Sequence, residues 1–116
     1  MDTRLVEIAG HTLEIDGLGY LEDPSLWTPE IAAHIAAAEG ITLATDHWHY
    51  IDYVRAHYEQ THCVPEARYL LKEMASALGA AKGTRHYLHK LFPYGYGSQL
   101  CKIAGMRMPR KVMLDV

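Results

Sequence analysis

Cysteine is scarce: the 116 residues hold two, Cys63 and Cys101. A disulfide scaffold is therefore not what stabilises this chain, and two thiols without an export signal suit a reducing cytoplasm. The opening Met1-Asp2-Thr3-Arg4 lacks the basic start and apolar core of a signal peptide. No apolar run approaches the roughly eighteen residues that a membrane span needs. Paired carboxylates and a nucleophile–base–orienter set are also missing, which argues against a stand-alone catalyst. No linker, internal repeat or low-complexity tract divides the sequence, and nothing in it calls for a resident cofactor. These absences predict a cytoplasmic monomer that does not engage membranes. They also predict a single domain over residues 1–116, divided into a hairpin (1–18), a helical core (24–105) and a C-terminal arm (106–116). A chain of this length can bury roughly two thirds of the surface it exposes when unfolded.

Acidic residues are absent from one long stretch. From Lys82 to Lys111 there are seven Lys and Arg residues and no Asp or Glu, whereas residues 1–81 carry thirteen acids against four bases. The net charge of −3 hides this polarity. A basic face built from that stretch would attract an anionic small molecule, an acidic protein surface or nucleic acid. Arg85, Lys102 and Arg107 are the candidates for binding an anion or a partner.

The same stretch holds Cys101. Ser98 has the character of an N-cap, Gln99, Leu100 and Cys101 follow as the first turn, and Gly105 fits the left-handed stop. A thiol in a first turn feels the positive end of the helix dipole, and Lys102 adds a neighbouring cation. Both favour thiolate, which makes Cys101 the candidate reactive group. The competing expectation is an inert thiol in a core plug with Leu100, Ile103 and Ala104.

Short β-prone runs, Arg4–Ile8 and Thr12–Ile15, flank Ala9-Gly10-His11 and predict a hairpin, with Leu13 and Ile15 inward and Glu14 and Asp16 outward. Asp23-Pro24 can start a brief helical turn through Trp27. The first full helix is signalled by Thr28 as cap, Pro29 and Glu30 in the first turn, and Gly40 as stop. A second begins at Thr45, with Trp48, Ile51, Val54 and Tyr58 as its apolar stripe. A third runs from Pro65-Glu66 to Leu78 before Gly79, with Leu70, Leu71, Met74 and Leu78 inward. A fourth follows Thr84 as cap and ends at Phe92-Pro93, with Tyr87, Leu88 and Leu91 as core. The fold class is mainly α (α+β): a small N-terminal β-hairpin packed on a helical bundle whose core fits a helix-turn-helix. His47 and His49 invite a metal reading, but residues two apart on a helix point about 200° away from each other. No other His or Cys spacing completes a zinc set, so no metal site is expected.

Taken together, Gly19-Tyr20-Leu21, Trp27, Glu39-Gly40-Ile41, His47-Trp48, Arg55, Tyr58, Pro65, Arg68, Lys72, Lys82-Gly83, Tyr87-Leu88 and Leu91-Phe92-Pro93 resemble the DsrC/TusE family of sulfur-trafficking proteins. The most specific part is Gln99, then Cys101-Lys102-Ile103-Ala104-Gly105, with Pro109. The resemblance implies a mostly helical protein with an N-terminal hairpin and a flexible C-terminal arm that carries the chemistry. DsrC-like members use an inner cysteine and a penultimate one eleven residues later, whereas TusE-like members keep only the penultimate one. Cys101 matches the inner cysteine. Val112 stands where the penultimate one would be, and Arg107 replaces the arm's first proline. Valine can neither bear a persulfide nor close a disulfide, so a two-cysteine cycle cannot run here.

Three functions follow as expectations. One is a sulfur carrier or relay accessory acting through Cys101, docking to sulfite-reductase-like or sulfurtransferase proteins. The second is a regulatory paralogue that docks to such partners without carrier chemistry. The third is a helix-turn-helix protein that uses the basic stretch on DNA, whose binding would weaken steeply with salt.

Overall fold

The structure is a computed structural model that describes residues 3–109. The end of the arm, Val112 included, lies outside the described residues. Strands β1 (Thr3–Ile8) and β2 (His11–Asp16) pair antiparallel, from Thr3 opposite Asp16 to Ile8 opposite His11. The turn is two residues, Ala9 and Gly10, with φ of +52° and +82°. Two left-handed residues make a type I′ turn, whose twist matches that of the strands. Ile8, Leu13 and Ile15 are buried and Glu14 is exposed, but Asp16 departs from the alternation and is buried. Its Oδ1 accepts from the Leu18 amide at 2.9 Å and the Tyr20 amide at 3.0 Å, closing the loop that leaves the strand.

Asp23 caps a 3₁₀ turn over Pro24–Leu26. Helix α1 (Pro29–Ala38) starts where the sequence places it, with the Thr28 hydroxyl accepting from Ile31 N, and Gly40 follows at φ +77°. Helix α2 (Thr45–Thr61) buries His47, Tyr50, Ile51 and Val54, leaving Trp48 and Tyr58 only partly buried. Its inward stripe is thus rotated from the expected one, because His47 is recruited to an end-capping role. His47 Nδ1 accepts from Ala44 N at 3.1 Å, so the ring proton sits on Nε2 and is donated to Leu91 O at 2.9 Å. Both nitrogens are engaged, while His49 is exposed. No group of three His, Cys, Asp or Glu suited to a metal occurs among the described residues.

Helix α3 (Ala67–Leu78) begins after Glu66 and buries Ala67, Leu70 and Met74, with Leu71 and Leu78 at the margin. A 3₁₀ turn (Ala80–Lys82) leads to α4 (Arg85–Leu91), whose Leu88 and Leu91 face inward while Tyr87 is half-buried. The Thr84 hydroxyl accepts from Tyr87 N at 3.0 Å. Thr84→Ala is expected to cost about 1 kcal/mol in a urea titration, the usual value of such a cap. Phe92, fully buried, joins these helices by edge contact with the His47 ring at 5.2 Å. No described helix is long and apolar enough to cross a membrane.

Candidate functional site

After α4 the chain turns at Gly95 (φ +89°) into a π-helix, Tyr96–Cys101, that continues helically through Ile103. The expected short helix capped by Ser98 does not form. Ser98 is exposed, and the turn opens instead at Gly95. Gln99 is buried and explains why: its Oε1 accepts from Tyr94 N at 2.8 Å, and its Nε2 donates to Glu39 on the α1 cap at 3.2 Å. The expected stop holds. Gly105 is left-handed at φ +78°, its amide bonds Lys102 O at 3.1 Å, and the Met106 amide bonds Cys101 O at 2.9 Å. This pair of bonds is a Schellman ending, in which the residue after the glycine packs on the one at the start of the motif. Here those two are Met106 and Cys101, both buried.

Cys101 therefore lies at the end of a helical stretch, deep in the core, and is fully buried. The thiolate expected from a first-turn position is overturned. Desolvation pushes the thiol up to about 12, and the Tyr96 hydroxyl beside it offsets only part of that rise. Tyr96, itself raised by burial, donates to Pro65 O. Tyr20 closes another side, with its hydroxyl donating to Gly97 O at 2.8 Å and lying 2.9 Å from Met108 Sδ. Burial and the nearby thiol also raise the Tyr20 phenol to about 12. In this conformation Cys101 is a protonated, shielded thiol.

The three basic candidates are not brought together. Arg85 is exposed on α4. Lys102 is mostly covered, 3.5 Å from Glu39 Oε2 and above the Tyr20 ring at 5.2 Å, at the edge of a pocket of about 270 Å³ between the hairpin and α1. Arg107 reaches Glu22 at 2.5 Å and Asp16 at 3.6 Å. Lys82 is paired with Asp46 at 2.9 Å. Lys82, Lys102 and Arg107 are thus each paired with an acid from earlier in the chain, so among the described residues these three do not form a bare basic face.

Two positions matter more than their local sequence signals. Trp27 donates from Nε1 to Ile103 O at 2.9 Å, and its ring lies where a side chain at Gly105 would stand. Arg55 stacks on Trp27 at 4.5 Å and donates to Pro24 O and Ala104 O. Together they fasten the carbonyls that follow Cys101. Each belongs to the residues carrying the resemblance, but the sequence alone gives neither its role nor its partner. The second cysteine, Cys63, is exposed on the link between α2 and α3. It lines a groove of about 390 Å³ with Tyr58, His62, Val64 and the arm base, Met106–Pro109.

A profile described as DsrC like protein matches residues 7–113. The sulfurtransferase TusE of Pectobacterium atrosepticum is 40% identical over 107 residues, covering 92% of this chain and 98% of that protein. The TusE of Escherichia coli is 41% identical over 102 residues, covering 88% and 94%. Among solved structures, Allochromatium vinosum DsrC superposes with a TM-score of 0.84 at 34% identity, covering 94% of this chain and 97% of that one. The fold, the Cys101 segment and these matches agree: the chain belongs to the DsrC-like protein family.

Proposed function

We propose that this chain is a sulfur-relay protein whose Cys101 accepts sulfane sulfur from a persulfide once the arm base, Met106–Pro109, moves away from it. Its partners are sulfite-reductase-like or sulfurtransferase proteins in the cytoplasm. The observation that carries the reading is the placement of Cys101, fully buried and joined through its carbonyl to the first residue of the arm. A thiol with a pKa of about 12 does not react while buried. Displacement of Met106 would admit water and let the thiol lose its proton to solvent. The thiolate then attacks the terminal sulfur of the donor persulfide. A Cys101 S–S bond forms, the donor's S–S bond breaks, and the donor leaves as a thiolate that takes up a proton, with no net oxidation. Val112, standing where the resemblance has a penultimate cysteine, cannot resolve this persulfide, so the sulfur passes to a partner's thiol.

The burial of Cys101 also favours a second reading: a docking paralogue in which this thiol never carries sulfur. Intact mass of the reduced protein after exposure to a persulfide donor, beside Cys101→Ser and Cys63→Ser, separates the two. A one-sulfur gain lost only in Cys101→Ser is the expected result. A gain confined to Cys63, or none under conditions that expose Cys101 to a small alkylating reagent, would leave the docking role.

A further inference from the structure

The arm base is held down by three consecutive residues, each with a partner distant in sequence or in the Cys101 turn. Met106 bonds the Cys101 carbonyl, Arg107 spans Asp16 and Glu22, and Met108 meets the Tyr20 hydroxyl. Asp16 is unusual among these partners. Its carboxylate is only 4% exposed, and Oδ1 is already committed to two amides of its own loop. Oδ2 faces Arg107 Nη2 at 3.6 Å, leaving the guanidinium as the counter-charge to this carboxylate among the described residues. Arg107 is itself 43% exposed and also pairs with Glu22 at 2.5 Å. One side of the pair is buried and fixed while the other can be reached from solvent.

We infer that Arg107, Asp16 and Glu22 form an electrostatic latch that keeps the arm base closed over Cys101, and that an acidic surface of a partner protein opens it by taking Arg107. A basic partner cannot compete in the same way, because Asp16 is out of reach until Arg107 has left. Arg107 and Asp16 act here as positioning residues that set how often Cys101 becomes accessible. The inference rests on Cys101 being the reacting thiol of the proposed relay, but its test does not require sulfur transfer.

The test follows alkylation of Cys101 by iodoacetamide in the native full-length protein, resolved from Cys63 by peptide mass, with urea midpoints measured alongside. Arg107→Ala and Asp16→Asn are each expected to speed labelling of Cys101 about 2- to 5-fold, the scale of a partly exposed charge pair, with the urea midpoint falling by no more than the loss of that one pair. Asn at position 16 can still accept the Leu18 and Tyr20 amides, so the loop should survive. The double variant should label no faster than Arg107→Ala alone, because Asp16 acts only through Arg107. Glu22→Gln should give a smaller rise, and Arg107→Lys should restore part of the protection. Poly-glutamate should speed labelling of the wild type and leave Arg107→Ala unchanged, while poly-lysine should do neither. Raising salt from about 0.01 M to about 1 M should loosen the wild type and leave Arg107→Ala unchanged, since screening acts on exposed charge. Labelling rates that ignore Arg107 and Asp16, or that climb steeply with urea even at low concentration as reaction through global unfolding does, would overturn the latch. A latch that behaves as stated in a protein that takes up no sulfur would overturn the relay and leave the gate standing.

Discussion

Stability is expected to fall steeply as the pH rises from 9 to 12, with Cys101 responsible for one proton of that slope. In the unfolded chain this thiol ionises near its ordinary value of 9, whereas in the fold burial raises it to about 12. Between those limits the folded state holds a proton that the unfolded state has released. The contribution is therefore present in full below pH 9 and is lost as the pH climbs towards 12. Its slope is about 1.4 kcal/mol per pH unit, or roughly 4 kcal/mol over the window. Tyr20 and Tyr50, both raised by burial to about 12, steepen the upper part of the same window. Urea titrations at successive pH values measure this directly. Cys101→Ala should flatten the curve by one proton between pH 9 and 12, whatever it does to stability at neutral pH. Parallel curves for the two proteins would mean that the thiol is not shielded in solution.

Gly105→Ala is expected to cost about 2–4 kcal/mol. Its φ of +78° is left-handed, which costs a side-chain-bearing residue about 1 kcal/mol. The larger part is steric: an added Cβ would stand 2.4 Å from Trp27 Cδ1 and 2.8 Å from two further atoms of the same side chain. Trp27 cannot yield freely, because its indole is bonded to Ile103 O and covered by Arg55. Overpacking of this kind typically costs about 1–3 kcal/mol. Gly40 is the internal control. It has nearly the same φ, +77°, but nothing within 4 Å of an added Cβ, so Gly40→Ala should lose only the backbone part, about 1 kcal/mol. Similar losses for both variants in urea would show that Trp27 does not pack on Gly105. Since Gly105 also carries the Schellman ending at Cys101, its variant should label faster at that cysteine as well.

Much of the frame was readable because its signals are local. Thr28 with Pro29, Thr84, and the stops Gly40, Gly79 and Gly105 act within a turn of their own position, so residue type and order suffice. The hairpin and the four helices follow from the same short-range rules, and the ordered set around Cys101 placed the chain in its family. What failed was whatever depends on distant neighbours. Asp16 reads as a solvent-facing strand residue, yet it closes its own loop and meets Arg107 from the far end of the chain. His47 falls outside the expected apolar stripe of α2, yet it is buried, caps that helix and ties it to Leu91. Lys102 and Arg107 read as part of a bare basic face, yet acids from α1 and the hairpin neutralise them. Above all, the sequence determined which thiol is the candidate, by placing Cys101 ahead of Gly105 in a recognisable segment. Only the tertiary structure decided its state: desolvation is a sum over everything packed around a group, and Tyr20 and Pro65, which holds the Tyr96 hydroxyl, come from segments that only the fold brings together.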